Sequence, residues 1–221
     1  MNHVRSFVFA LVAGAALIMA PQAAHAQQAI TTDFEGGIAV AGGDLADAVK
    51  PGPALTAGVN FRVHDMFSIR LEGGVDLYGT EDVADPTVDG GTLIGPDVSH
   101  TRLDLGILFH ALRPDETGGL WADLDVGGGY HILSTDNYEI VFPSSFESID
   151  ISKGYLGFKG GVAVGYRVHD AVSVFAGGDA YMTPGDADDL EPFTVLEEVD
   201  DGAESHWSFP VQAGLRFHFQ P

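Results

Sequence analysis

With 221 residues, a net charge of −22 and only ten Lys and Arg, the chain is excluded from nucleic-acid binding, which needs basic side chains against phosphate. The same charge gives it no electrostatic pull toward anionic lipid. It has no Cys, so no disulfide framework supports the fold, and its 29 Gly and lack of any long 3.6-residue pattern favour a single all-β domain.

The N-terminus reads first as a secretory signal peptide over residues 1–26. A short basic start ends at Arg5, an apolar run covers Phe7 to Ala20, and Ala24-His25-Ala26 supplies a small-x-small cleavage site. That run is too short to span a bilayer as a helix. The domain proper would be residues 27–221.

Beyond it, apolar residues fall on every second position, which is the period of strands. Eight are expected, at about 29–42, 53–64, 67–79, 100–112, 120–133, 154–169, 172–182 and 206–219. Long connections follow the first, third, fifth and seventh strands, at 43–52, 80–99, 134–153 and 183–205. The other three are short: 64–66, 113–119 and 169–171. One strand–turn–strand unit occurs twice. Phe61-Arg62-Val63-His64-Asp65-Met66-Phe67-Ser68-Ile69 returns 105 positions later as Tyr166-Arg167-Val168-His169-Asp170-Ala171-Val172-Ser173-Val174.

Each strand has one apolar and one polar face. Leu55, Ala57, Val59 and Phe61 alternate with Thr56, Gly58 and Asn60, for example, and Leu103, Leu105, Ile107 and Phe109 with Arg102, Asp104 and Gly106. A soluble barrel would put the apolar face inside, whereas a transmembrane barrel puts it outside and keeps the polar face within. Inversion is favoured on four grounds. Strands of 9–11 residues cross a tilted bilayer, and one end is trimmed while the other is elaborate. Aromatics such as Phe61, Phe67, Phe109, Tyr166, Phe217 and Phe219 gather near the short turns, where an interfacial girdle would lie. Glycines punctuate the polar face, making room for long side chains in a narrow lumen.

The signal peptide, the eight alternating strands and a last strand ending Leu215-Arg216-Phe217-His218-Phe219 resemble the small outer-membrane β-barrels typified by the OmpA membrane domain, OmpX and the opacity-type surface proteins. The resemblance implies an all-β, eight-stranded antiparallel up-and-down transmembrane barrel with short periplasmic turns and four long extracellular loops. It further implies a monomer in the outer membrane, in contact with lipid and lipopolysaccharide.

Several groups of residues are candidates for a site. Inward parity collects Glu35, Arg62, Arg70, Glu72, Asp76, Arg102, Asp104, Asp123, Asp125, Lys159, Arg167, Asp179 and Arg216 in one confined lumen, where buried charges persist only when paired. That predicts a salt-bridge network acting as a plug, with a narrow porin-like channel for ions or small solutes as the alternative. His64, His110, His169 and His218 would share the periplasmic end, there capping strand ends or titrating; no metal site is predicted from their spacing.

Acidic loops, with Glu81, Asp82, Asp85, Asp89 and Asp97 in the second and Asp186, Asp188, Asp189, Glu191, Glu197, Glu198, Asp200, Asp201 and Glu204 in the fourth, offer oxygens to divalent cations. The third loop reads as a hairpin prolonging the fifth and sixth strands, with an edge able to recruit a surface protein. His206-Trp207-Ser208 resembles the His-x-Ser of lipid A deacylases, but both side chains would face the lumen and Gln220 stands where that family has its acid. No catalytic residue and no cofactor is therefore expected. The function read from sequence is a non-enzymatic barrel serving membrane integrity and surface interaction, with a secreted soluble barrel binding an apolar ligand as the third reading.

Overall fold

The computed structural model describes residues 30–43, 46, 49–79, 83–84, 92–94, 97–114, 119–142, 145–184 and 205–219. The signal peptide and the acidic residues at 81, 82, 85, 89 and 186–204 lie outside them, as does the side chain of Asp97.

Among the described residues ten strands follow in chain order: β1 (Ile30–Gly43), β2 (Gly52–His64), β3 (Phe67–Tyr78), β4 (Val83–Ala84), β5 (Thr92–Ile94), β6 (Asp97–Leu112), β7 (Leu120–Phe142), β8 (Ser145–His169), β9 (Val172–Pro184) and β10 (Ser205–Phe219). Eight of them, β1 to β3 and β6 to β10, form a closed antiparallel barrel. Each pairs with its sequence neighbours, and β10 returns to β1 from Ile30↔Phe219 to Gly43↔His206. Closure removes the free edges that an open sheet would expose.

The inversion expected from the two-faced strands is what the barrel shows. Outward positions are apolar and open, with Leu55 60% exposed, Leu105 61%, Val126 62% and Leu156 74%. Inward positions are charged and closed: Asp33, Glu72, Asp76, Arg102 and Asp104 are at most 1% exposed. A surface this apolar around an interior this polar fits a bilayer. Phe67 and Phe109 meet at 5.3 Å and Phe34 and Phe217 at 6.1 Å, building the aromatic girdle near the short turns.

Glycine sets how far long side chains reach into the lumen. A Cβ at Gly74 would stand 2.8 Å from Arg102 Nη2, and one at Gly157 would overlap the His131 ring. Gly157 thus makes the space that a buried imidazole occupies.

Outside the barrel wall, one expected feature is present and one unexpected feature is added. The β7–β8 hairpin does prolong the barrel, pairing as far as Phe142↔Ser145. The second long connection supplies β4 and β5, however, and β5 lies against β7 through Thr92↔Val141 and Ile94↔Glu139. Short pairings of this kind carry too little alternation to stand out in a sequence.

Candidate functional site

The lumen is built in layers, because each strand contributes every second residue to it. At the extracellular end Ala39, Ala54, Tyr78, Val98 and Leu133 form an apolar cap. Below lie His100, His131 and His206, then Asp76 with Arg102 and Tyr181. Arg102 donates to Asp76 and to Thr56, and its guanidinium stacks 3.9 Å over the Tyr181 ring.

The middle layer holds Arg70, Lys159, Glu35, Glu72 and Asp125. Arg70 meets Glu35 at 2.7 Å and also Glu72, while Lys159 Nζ lies 2.9 Å from Glu72 and 2.6 Å from Asp125. The hydroxyl of Tyr181 donates to Glu72 at 2.6 Å, tying this layer to the one above. Asp179, with Glu35 and Arg70, lines a cavity of about 10 Å³.

Toward the periplasmic end Arg216 bridges Asp33 and Asp123 and stacks 4.1 Å over Trp121. Arg62 and Arg167 line the mouth beneath it, around a cavity of about 30 Å³ that Ser68, His110 and His218 also border. The thirteen lumen residues singled out from sequence thus face one interior. Eleven belong to the ion-pair layers or the central cavity, and Arg62 and Arg167 sit at its mouth.

The four histidines of that end do not make one ring. Register shifts at Arg62/His64 and Arg167/His169 turn His64 and His169 out into the turns, where both are exposed. There each Nδ1 accepts from the backbone two residues on, Met66 N at 3.3 Å and Ala171 N at 3.2 Å. His110 and His218 stay inside. Ser68 Oγ lies 2.8 Å from His110 Nε2, and Ser173 Oγ lies 2.7 Å from His218 Nε2, so the duplicated hairpin repeats its serine–imidazole contact as well.

His110 Nδ1 also lies 2.7 Å from Asp123, which completes a Ser68–His110–Asp123 line with the connectivity of an acyl-transfer triad. Yet Ser68 is 2% exposed, and the adjoining 30 Å³ holds about two waters. A hydroxyl buried this deeply offers an ester carbonyl no open approach, and its contact, with that of Asp123, orients the His110 ring. The His-x-Ser of β10 is no nucleophile–base pair either. Ser208 Oγ donates to Asp76 and accepts from Tyr78, both at 2.7 Å, rather than bonding His206.

Two groups escaped the sequence reading. Asp33, fully buried and held by Arg216, Arg70 and Asn60, shares the parity of Glu35 and was legible on that ground. His100, His131 and His206 also have inward parity; pairing of β6 with β7 brings the first two together, and only barrel closure adds His206 from β10.

No family model and no curated protein matches the chain. Solved structures do. Neisserial surface protein A aligns with a TM-score of 0.56 at 14% identity, over 86% of this chain and 99% of its own. A major outer membrane protein from Thermus thermophilus aligns with a TM-score of 0.50 at 16% identity, again over 86% and 99%. Both alignments run the length of the barrel, and the chain has the fold of the small outer-membrane β-barrels.

Proposed function

We propose that the protein is a non-enzymatic, monomeric barrel of the bacterial outer membrane that supports membrane integrity and presents acidic loops to the outside. The observation that carries this reading is the filled lumen. Ion pairs occupy it from Asp76–Arg102 down to Arg216–Asp33, and the central cavity has room for about one water. A hydrated ion could pass only by breaking several buried pairs, each costing several kcal/mol to desolvate and separate. A narrow channel is therefore the weaker alternative.

Surface interaction is supported by the extended hairpin. β8 pairs with β9 only from Phe158↔Met182 onward, so residues 145–157 have β7 on one side and no strand on the other among the described residues. Such an edge suits a partner that adds a strand. The acidic loops suit divalent cations bridging lipopolysaccharide phosphates.

Planar-bilayer recording of the folded protein tests the plug, and no reproducible conductance steps are expected. Steps that disappear when the protein is heat-denatured would establish the channel instead. Membrane fractionation with gel mobility before and after heating tests the location: a carbonate-resistant protein whose unheated form runs faster is expected.

A further inference from the structure

Three buried imidazoles share the layer beneath the extracellular cap: His100 of β6, His131 of β7 and His206 of β10. The His100 ring centroid lies 5.0 Å from that of His131 and 5.3 Å from that of His206. Carboxylates fix how two of these rings are protonated. An ionised carboxylate only accepts, so His100 Nδ1, 3.3 Å from Asp76, and His131 Nε2, 3.0 Å from Asp104, carry the ring protons. The remaining nitrogens, His100 Nε2 and His131 Nδ1, then present lone pairs, and they face each other at 3.2 Å. Facing lone pairs repel unless something positive lies between them. The Thr183 hydroxyl, 2.8 Å from His131 Nδ1, answers one of the two and leaves that of His100 unanswered.

The spacing suits a metal. Two nitrogens bound at 2.0–2.1 Å to a tetrahedral ion stand about 3.3 Å apart. Imidazoles backed by carboxylates on their far nitrogens are the usual form of metal-ligating histidine, since the carboxylate sets the tautomer and raises ligand basicity. His206 adds an independent sign. It is 1% exposed, and neither of its ring nitrogens has a hydrogen-bond partner among the described residues. A buried imidazole left wholly unsatisfied calls for a missing partner. Charge points the same way: Asp33, Glu35, Glu72, Asp76, Asp104, Asp123 and Asp125 are seven buried carboxylates against four buried permanent cations, Arg70, Arg102, Lys159 and Arg216.

We propose that His100 and His131, completed by His206, bind a divalent transition metal that prefers imidazole, such as zinc, cobalt, nickel or copper. As the rings stand, no three donors among the described residues are arranged to hold an ion. Two are set, and the third arrives by rotation of the His206 side chain while the Thr183 hydroxyl turns away. The apolar cap covers the layer, so the ion enters as the barrel closes and leaves slowly afterwards.

The test is to fold the chain in detergent with Co²⁺, remove loose metal by gel filtration, and measure bound cobalt together with its visible spectrum. One cobalt per chain with the intense absorption of a tetrahedral site, displaced by Zn²⁺, is the expected result. His206→Gln weakens binding at least about tenfold, the His100→Gln/His131→Gln pair abolishes it, and His64→Gln/His169→Gln in the exposed turns leaves it unchanged. Folding of each variant is read from the mobility of the unheated sample, and if the double variant does not fold, the wild-type spectrum and His206→Gln decide. A folded wild-type barrel that retains neither cobalt nor zinc overturns the site and leaves a shared proton as the cation between the rings. Metal lost with the turn histidines overturns it equally.

Discussion

Arg216, near the end of the last strand, grips Asp33, near the start of the first, through two nitrogens: Nε to Oδ1 at 2.7 Å and Nη2 to Oδ2 at 3.0 Å. This fork joins the two strands that close the barrel, and both side chains are shut from solvent. Asp33→Ala leaves the guanidinium with Asp123 alone, so it should lower stability by about 3–5 kcal/mol. Asp33→Ala with Arg216→Met should cost less than Asp33→Ala by itself, because no charge is then orphaned on the Asp33 side. Urea unfolding in lipid vesicles measures both, and equal losses for the two variants would refute the clamp.

The outer face predicts a different cost. Leu105 is 61% exposed on β6, in the middle of the strand and flanked by Leu103 and Ile107. Leu105→Arg puts a charge into the hydrocarbon and should cost about 2–4 kcal/mol in a bilayer. In a soluble barrel with the same contacts the substitution would be neutral, so the vesicle unfolding curve also checks which face meets lipid.

Lumen glycines should resist even a methyl group. The Cβ of Gly74→Ala would press on Arg102, which is held at once by Asp76, Thr56 and the Tyr181 ring. Overpacking of this kind costs about 1–3 kcal/mol. By contrast Gly79→Ala, where nothing lies within 4 Å of the new atom, should change the unfolding midpoint little.

The duplicated hairpin allows a paired experiment. His64 and His169 each accept one backbone N–H at an exposed turn, so each →Ala variant should lose no more than about 1 kcal/mol, and the two losses should match. Ser68→Ala and Ser173→Ala should not match. The first frees a histidine that Asp123 still holds, whereas the second removes the hydroxyl that His218 contacts at 2.7 Å. Histidine side-chain NMR of the folded barrel should show His218 more perturbed than His110, and an equal response would sink the distinction.

Much of the barrel was legible in the chain, for reasons that attach to particular residues. Val59, Phe61 and Val63 against Gly58, Asn60 and Arg62 state the period of two, and that period assigns a face to every residue of an unbroken strand. The lumen set followed from parity in the same way. Where the strand is broken, parity misleads: the shifts at Arg62/His64 and Arg167/His169 carry one extra residue each, and that is enough to move an imidazole from lumen to solvent.

The sequence by itself determined the eight barrel strands, their inverted faces and the charged interior, because alternation is a local property of extended backbone. Only the tertiary structure decided which buried charges meet. Contacts across the lumen depend on the stagger of strands around the closed barrel, which sets the height at which each side chain enters. Closure of β10 on β1 sets Arg216 directly opposite Asp33, 183 residues away in sequence, and the stagger brings His206 into the layer of His100 and His131.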